Sequence, residues 1–84
     1  MQKFYFTYGS SKNYPFHGGW TEVIAPNEHM AIGAFNAVHP PRIENIINCA
    51  SVYDEETFHG FEMSRNGNLG KFCVERLTLT VETL

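Results

Sequence analysis

The sequence predicts a small α+β domain: an antiparallel or mixed sheet of roughly four to five strands with one main helix, at about 27–38, packed on one face. Three patterns predict it. Residues 2–8 alternate Phe4, Phe6 and Tyr8 with Lys3, Tyr5 and Thr7, a two-residue period in β-forming side chains. Ala31, Ala34, Phe35 and Val38 recur at i, i+3, i+4 and i+7, which makes one apolar helix face. Leu77, Leu79 and Val81 alternate with Thr78, Thr80 and Glu82 in a final strand over 71–82.

The elements follow in order. A first strand over 2–8 ties down a terminus that would otherwise fray. Residues 9–19, GSSKNYPFHGG, are turn-forming residues around Tyr14 and Phe16. A loop this long in a compact domain usually carries function. Residues 20–25, WTEVIA, make the second strand. Asn27 is a good N-cap for the helix, and Glu28 puts negative charge in its first turn. Ala31 and Ala34 are small enough to let that helix lie close to a sheet. Pro40-Pro41 ends it, because the residue before proline is pushed out of the α region. Residues 45–53, NIINCASVY, read as a third strand. Asp54 then caps a short helical turn that stops at Gly60. Residues 61–65 read as a short strand, and Asn66-Gly67-Asn68-Leu69-Gly70 as a turn.

The 84 residues make one domain, spanning 1–84. A chain of this length buries only roughly 60–65% of its unfolded surface. Seven Phe and four Tyr offset that by giving much burial per residue. The thin margin also makes a homo-oligomer one expected route to stability. The net charge is −3, with nine acids and six bases scattered without runs. DNA binding is not expected, since that needs a clustered basic footprint. No apolar run approaches a membrane span. Met1-Gln2-Lys3 leads straight into an aromatic strand, so no signal peptide is expected and the location is expected to be cytoplasmic. Cys49 and Cys73 are expected to be reduced thiols that pack as small hydrophobes.

No cofactor or metal is expected. The two cysteines and four histidines lack the close pairing of structural zinc sites. A nucleophilic cysteine would need a positioned base, and pairing Cys49 with His59 or Cys73 with His17 has no local mark. The Asp54-Glu55-Glu56 cluster sits where a helix start favours acids. The glycine loops carry more. Gly9-Ser10-Ser11, Gly18-Gly19 and the 66–70 turn, with Asn68, offer backbone N–H groups and small polar side chains that can cradle anions. Lys12, Arg65 and Lys71 lie beside them. The alternative is that the glycines simply permit turns with positive φ. Trp20, after Gly18-Gly19, either anchors an interface or closes the sheet end over the core. The candidate binding residues are therefore Ser10, Lys12, Tyr14, Phe16, Trp20, Arg65, Asn68 and Lys71.

The run FTYGS, then PFHGGWTEVIA, then the alanine-bearing helix, then Tyr53-Asp54-Glu55-Glu56-Thr57-Phe58, resembles a family of very small proteins of bacteriophages and other mobile elements. The likeness covers roughly residues 4–60. NGNLGKFCVERL looks like an extension found in part of that group. The family carries no defined reaction, so no catalytic residue follows from the likeness. It implies a setting in a bacterial host cell, where small phage proteins often act by stoichiometric binding.

The expected function is therefore that of a non-enzymatic binding protein that antagonises host defence. It would sequester a nucleotide-type signal or block a host defence protein. In the first form, Tyr14, Phe16 or Trp20 would stack on a base while Lys12, Arg65 or Lys71 hold phosphates. In the second, the same rings form an exposed anchor patch. The alternatives are a small cysteine-dependent enzyme and a virion or assembly component.

Overall fold

A computed structural model describes residues 1–79 of the chain. The fold is α+β, with a four-stranded mixed sheet and one main helix. Strands β1 (Gln2–Thr7), β2 (Trp20–Ala25), β3 (Ser51–Asp54) and β4 (Cys73–Thr78) lie in the order β3-β1-β2-β4. The main helix α1 spans Glu28–Val38, and the short helices α2 (Glu55–His59) and α3 (Met63–Asn66) sit between β3 and β4. β1 pairs antiparallel with both β2 and β3. β4 pairs parallel with β2, and Val74 is the extra residue of a bulge between the pairs Trp20↔Cys73 and Thr21↔Glu75.

Alternation along β1 fills both faces of the sheet. Phe4, Phe6 and Tyr8 point to the α1 side, where they join Val23, Ala25, Ala31, Phe35 and Cys49. The rings of Phe6 and Phe35 stack at 4.5 Å. Tyr5 points to the other side, where it packs with Trp20 and Phe58. Tyr5 stacks on Phe58 at 4.1 Å, and Trp20 meets Phe58 edge-on at 4.8 Å. A strand buried on both faces needs a cover on each. Helix α1 covers one face, and α2 covers part of the other with Phe58.

The caps follow the local chemistry. Asn27 accepts a hydrogen bond from the Met30 N–H at 2.9 Å, and Asp54 accepts one from the Thr57 N–H at 2.7 Å. Each satisfies a donor that the first helical turn leaves without an intrahelical partner. Bonding to the Thr57 backbone also holds the Asp54 carboxyl below its ordinary range.

Several expectations are corrected. The third strand is confined to Ser51–Asp54. Before it, Ile43 and Ile46 bridge across a turn in which Asn45 has φ 65°, so the isoleucine run serves a turn and not a strand. Residues 61–65 form no strand. The N–H groups of Arg65 and Asn66 bond to Glu62 O, which closes a helical turn. A five-residue stretch is too short for its periodicity to tell strand from helix. The last strand begins at Cys73, because Asn68 and Lys71 pair across a tight turn with Leu69 and Gly70 at positive φ. Thr80, Val81 and Glu82 lie outside the described residues. On α1, Val38 is 49% exposed and lies off the apolar face, which is carried by Ala31 and Phe35. Cys73 is exposed and not packed inside. Among the described residues, no helix is long and apolar enough to cross a membrane.

Candidate functional site

Two irregular segments meet at the C-terminal end of α1. The first is the loop over 9–19. Gly9 turns the chain at φ 61°, and the Gly18 N–H bonds back to Gly9 O at 2.8 Å, closing the loop at its base. At its tip, the Asn13 N–H donates to Ser11 Oγ. Tyr14 and Phe16 are half-buried and lean against the core on the α1 side. The second segment, 39–49, follows the proline pair. Arg42 ties the two together by donating from Nη1 to Asn13 O at 2.8 Å. Between them lies a cleft of about 320 Å³, lined by Asn13, Tyr14, Arg42, Ile43, Ile46, Ile47 and Asn48.

This cleft has a distinct chemistry. Among the described residues, Arg42 is the one charged residue that lines it. Ile43 is 64% and Ile46 is 56% exposed. Ile47 is half-buried and packs on the core. Large apolar side chains held this far into solvent, beside a tyrosine and an arginine, are the composition of a docking site.

Beneath Phe16 runs a polar chain, buried at its Tyr8–Thr21 end and half-buried at Glu75 and His39. His39 caps α1 and approaches Glu75 Oε1 from Nε2 at 2.8 Å. Thr21 Oγ1 donates to the same Oε1 at 3.1 Å, and Tyr8 is hydrogen-bonded to Thr21. The directions follow from the acceptor. An ionised carboxylate only accepts, so Thr21 gives its proton to Glu75 and Tyr8 must give its own to Thr21. Burial pushes the Tyr8 phenol up, which keeps that proton in place. The rings of Phe16 and His39 meet nearly perpendicular, with centroids 5.9 Å apart. The chain thus fastens α1, β2 and β4 together under the 9–19 loop. On the opposite face, Arg76 Nε donates to the buried Glu22 at 2.8 Å. Burial, then Glu22 nearby, pushes the Tyr5 phenol up as well.

The sequence-predicted residues do not converge on one site. Tyr14 lines the cleft. Phe16 is turned onto Tyr8 and His39. Trp20 is 5% exposed and closes the sheet end over Phe58, so it is no exposed anchor. Ser10 and Lys12 are exposed on the loop, and neither lines the cleft. Arg65 donates to His59 O, and Lys71 is exposed beside Gly19. Asn68 uses its side-chain amide on Gly19 O.

The expected anion cradle is largely closed. The N–H groups of Gly18, Gly19, Gly67, Asn68 and Lys71 all bond to backbone carbonyls. Gly19 is glycine because a Cβ there would stand 2.6 Å from Phe72 O.

The cysteines are placed apart from the histidines in their bonding. The Cys49 thiol donates to Ser51 O and Cys73 to Glu75 O. Burial pushes the Cys49 thiol up to about 11, away from the thiolate a nucleophile requires. Among the described residues, no three His, Cys, Asp or Glu side chains group to hold a metal ion.

Sequence reasoning missed Arg42, Ile43, Ile46 and the polar chain. The signal for the first three was present in HPPRIENII. Two prolines followed by a charged-apolar run that contains Asn is as much a turn pattern as a strand pattern. The chain from Tyr8 to His39 has no local signal, since its members come from four distant places in the sequence. Compared with models of known protein families, with curated proteins and with solved structures, the chain matches none of them.

Proposed function

We propose that this chain is a non-enzymatic binding protein of a bacteriophage or mobile element that acts in the bacterial cytoplasm and antagonises host defence by occupying a defence protein. The contact surface is the patch at the C-terminal end of α1. The observation that carries this reading is the exposure of Ile43 and Ile46 beside Tyr14 and Arg42. Exposed apolar surface of this kind is costly in a small domain unless a partner covers it. Tyr and Arg around an apolar centre are the residues that most often anchor protein interfaces. Sequestration of a nucleotide has less support, because the rings and cations expected to hold it lie in separate places. The setting rests on the resemblance of the FTYGS and PFHGGWTEVIA segments.

The test is a plaque assay. Bacteria carrying individual defence systems express either the wild-type chain or Ile43→Asp/Ile46→Asp, whose thermal midpoint is checked first. The wild type should restore plaquing against at least one system, and the equally stable variant should not. Failure of the wild type against every system, or full activity of the variant, refutes the reading. Nucleotide-induced thermal shifts would move the function to signal capture.

A further inference from the structure

We infer that the cleft between Tyr14 and the 42–48 turn receives an acidic-apolar anchor: a large apolar side chain with a carboxylate beside it, presented by a partner's polypeptide segment. The inference rests on the docking reading above and narrows it to the partner's chemistry.

Three features of the cleft support it. The first is charge. Among the described residues, Arg42 is the one ionised group in the lining, and the exposed Glu44 of the same turn stands outside it, so an incoming anion meets a cation at the wall of the cleft. The chain as a whole carries net charge −3. An acidic partner is therefore drawn by this local site and not by the overall field. The second is orientation. The Nη1 contact to Asn13 O fixes the guanidinium against the opposite wall of the cleft, where both residues belong to the lining. A guanidinium has several N–H donors in one plane, and one such bond leaves the others for a second acceptor. That planar fork matches a carboxylate in a two-bond arrangement. A phosphate dianion would call for more positive charge than the single cation that the described residues bring to this lining. The third is volume and lining. About 320 Å³ walled by Tyr14, Ile43, Ile46 and Ile47 is at the small end of ligand sites. It suits one large apolar side chain and its flank better than an extended ligand. The Asn13 and Asn48 amides at the wall can bond the backbone that carries the anchor.

The experiment is a titration of the full isotope-labelled chain, followed by backbone amide spectra. The probes are three capped peptides, Gly-Ser-Phe-Asp-Ser-Gly and its Phe-Lys and Ala-Asp counterparts, and adenosine monophosphate. The Phe-Asp peptide should shift amides at 13–14 and 42–48. The Phe-Lys and Ala-Asp peptides should bind roughly tenfold more weakly or worse, since a charge-assisted pair and a buried ring each supply that much. Arg42→Gln should erase the preference for Asp over Lys, while Arg42→Lys, which keeps charge but not the fork, should retain part of it. Equal binding of the Phe-Lys peptide, no binding of any peptide, or tighter binding of the nucleotide at these amides overturns the inference. The two readings fail separately. If Arg42→Gln still blocks defence while Ile43→Asp/Ile46→Asp does not, the docking surface stands and the acidic anchor falls.

Discussion

Replacing Thr21 by valine isolates the polar chain under the 9–19 loop. The two side chains have nearly the same shape, and both suit a strand, so backbone and packing change little. What changes is the hydroxyl that receives a proton from Tyr8 and gives one to Glu75. Tyr8 and Thr21 are both fully buried. The Tyr8 phenol would be left as a buried donor without an acceptor, a cost of about 1–3 kcal/mol, and Glu75 would lose a charge-assisted bond worth about 1.5–3 kcal/mol. The added methyl group recovers roughly 0.8 kcal/mol. The net loss is about 2–5 kcal/mol, against a total of roughly 5–15 kcal/mol for a domain of this kind. Urea unfolding followed by tryptophan fluorescence reads it as a fall in midpoint on the order of 1–3 M. The sharper test is the pair with Tyr8→Phe. In the Thr21→Val background that second change removes the stranded donor, so the double variant should be more stable than the sum of single losses predicts, by roughly 1–2 kcal/mol. Additive losses, or a neutral Thr21→Val, would refute the directed chain.

Two glycines should respond in opposite senses. Gly33 lies within α1 with no atom near an added Cβ and no positive φ, so Gly33→Ala should raise stability by about 0.5–1 kcal/mol in the same assay. Gly19 has φ +66°, and a Cβ there would meet Phe72 O and Val74, so Gly19→Ala should lose more than roughly 2 kcal/mol or fail to fold. The Cys49 thiol rises from 9.0 to about 11 on burial. Between those values the unfolded chain releases the proton and the folded one keeps it, so the stability contribution is full below pH 9 and is lost as pH rises toward 11. The loss reaches roughly 2–3 kcal/mol. Cys49→Ala should remove that part of the alkaline slope between pH 8.5 and 10, measured by urea melts at each pH.

The legible parts of this molecule are the ones written in neighbouring residues. β1, β2 and α1 each carry several turns or pleats of one period, and their caps are single residues with one chemical role, so Asn27 and Asp54 could be read directly. The α3 segment and the turn before β3 could not. Phe61 and Met63 satisfy a strand period as well as a helix turn, and Ile43, Ile46 and Ile47 fit either a strand or a turn until the backbone of Asn45 is known. The site was half legible. The long 9–19 loop stands out by composition, and its Tyr14 both lines the cleft and leans on the core. Its partner wall was hidden because Arg42 meets Asn13 across 29 positions. Trp20 and Phe16 looked available because a ring next to glycines gives no sign of which face it takes. The basic side chains look convergent because the glycine loops are alike in composition, yet Arg65 lies in α3 and bonds back to His59 O, while Lys12 rides the loop tip.

The parallel pairing of β2 with β4 bears on the order of assembly. β1 and β2 can zip together early, since a single loop joins them, but the outer border of β2 then presents Thr21 and Glu22 with neither Glu75 nor Arg76 to answer them. Those answers arrive from 54 positions downstream, after an entropic search that local hairpins avoid. A nascent or shortened chain that stops before Cys73 would hold a naked border and a stranded carboxylate, and would be an easy target for proteolysis or misassociation. The border of β2 is covered only once β4 has docked.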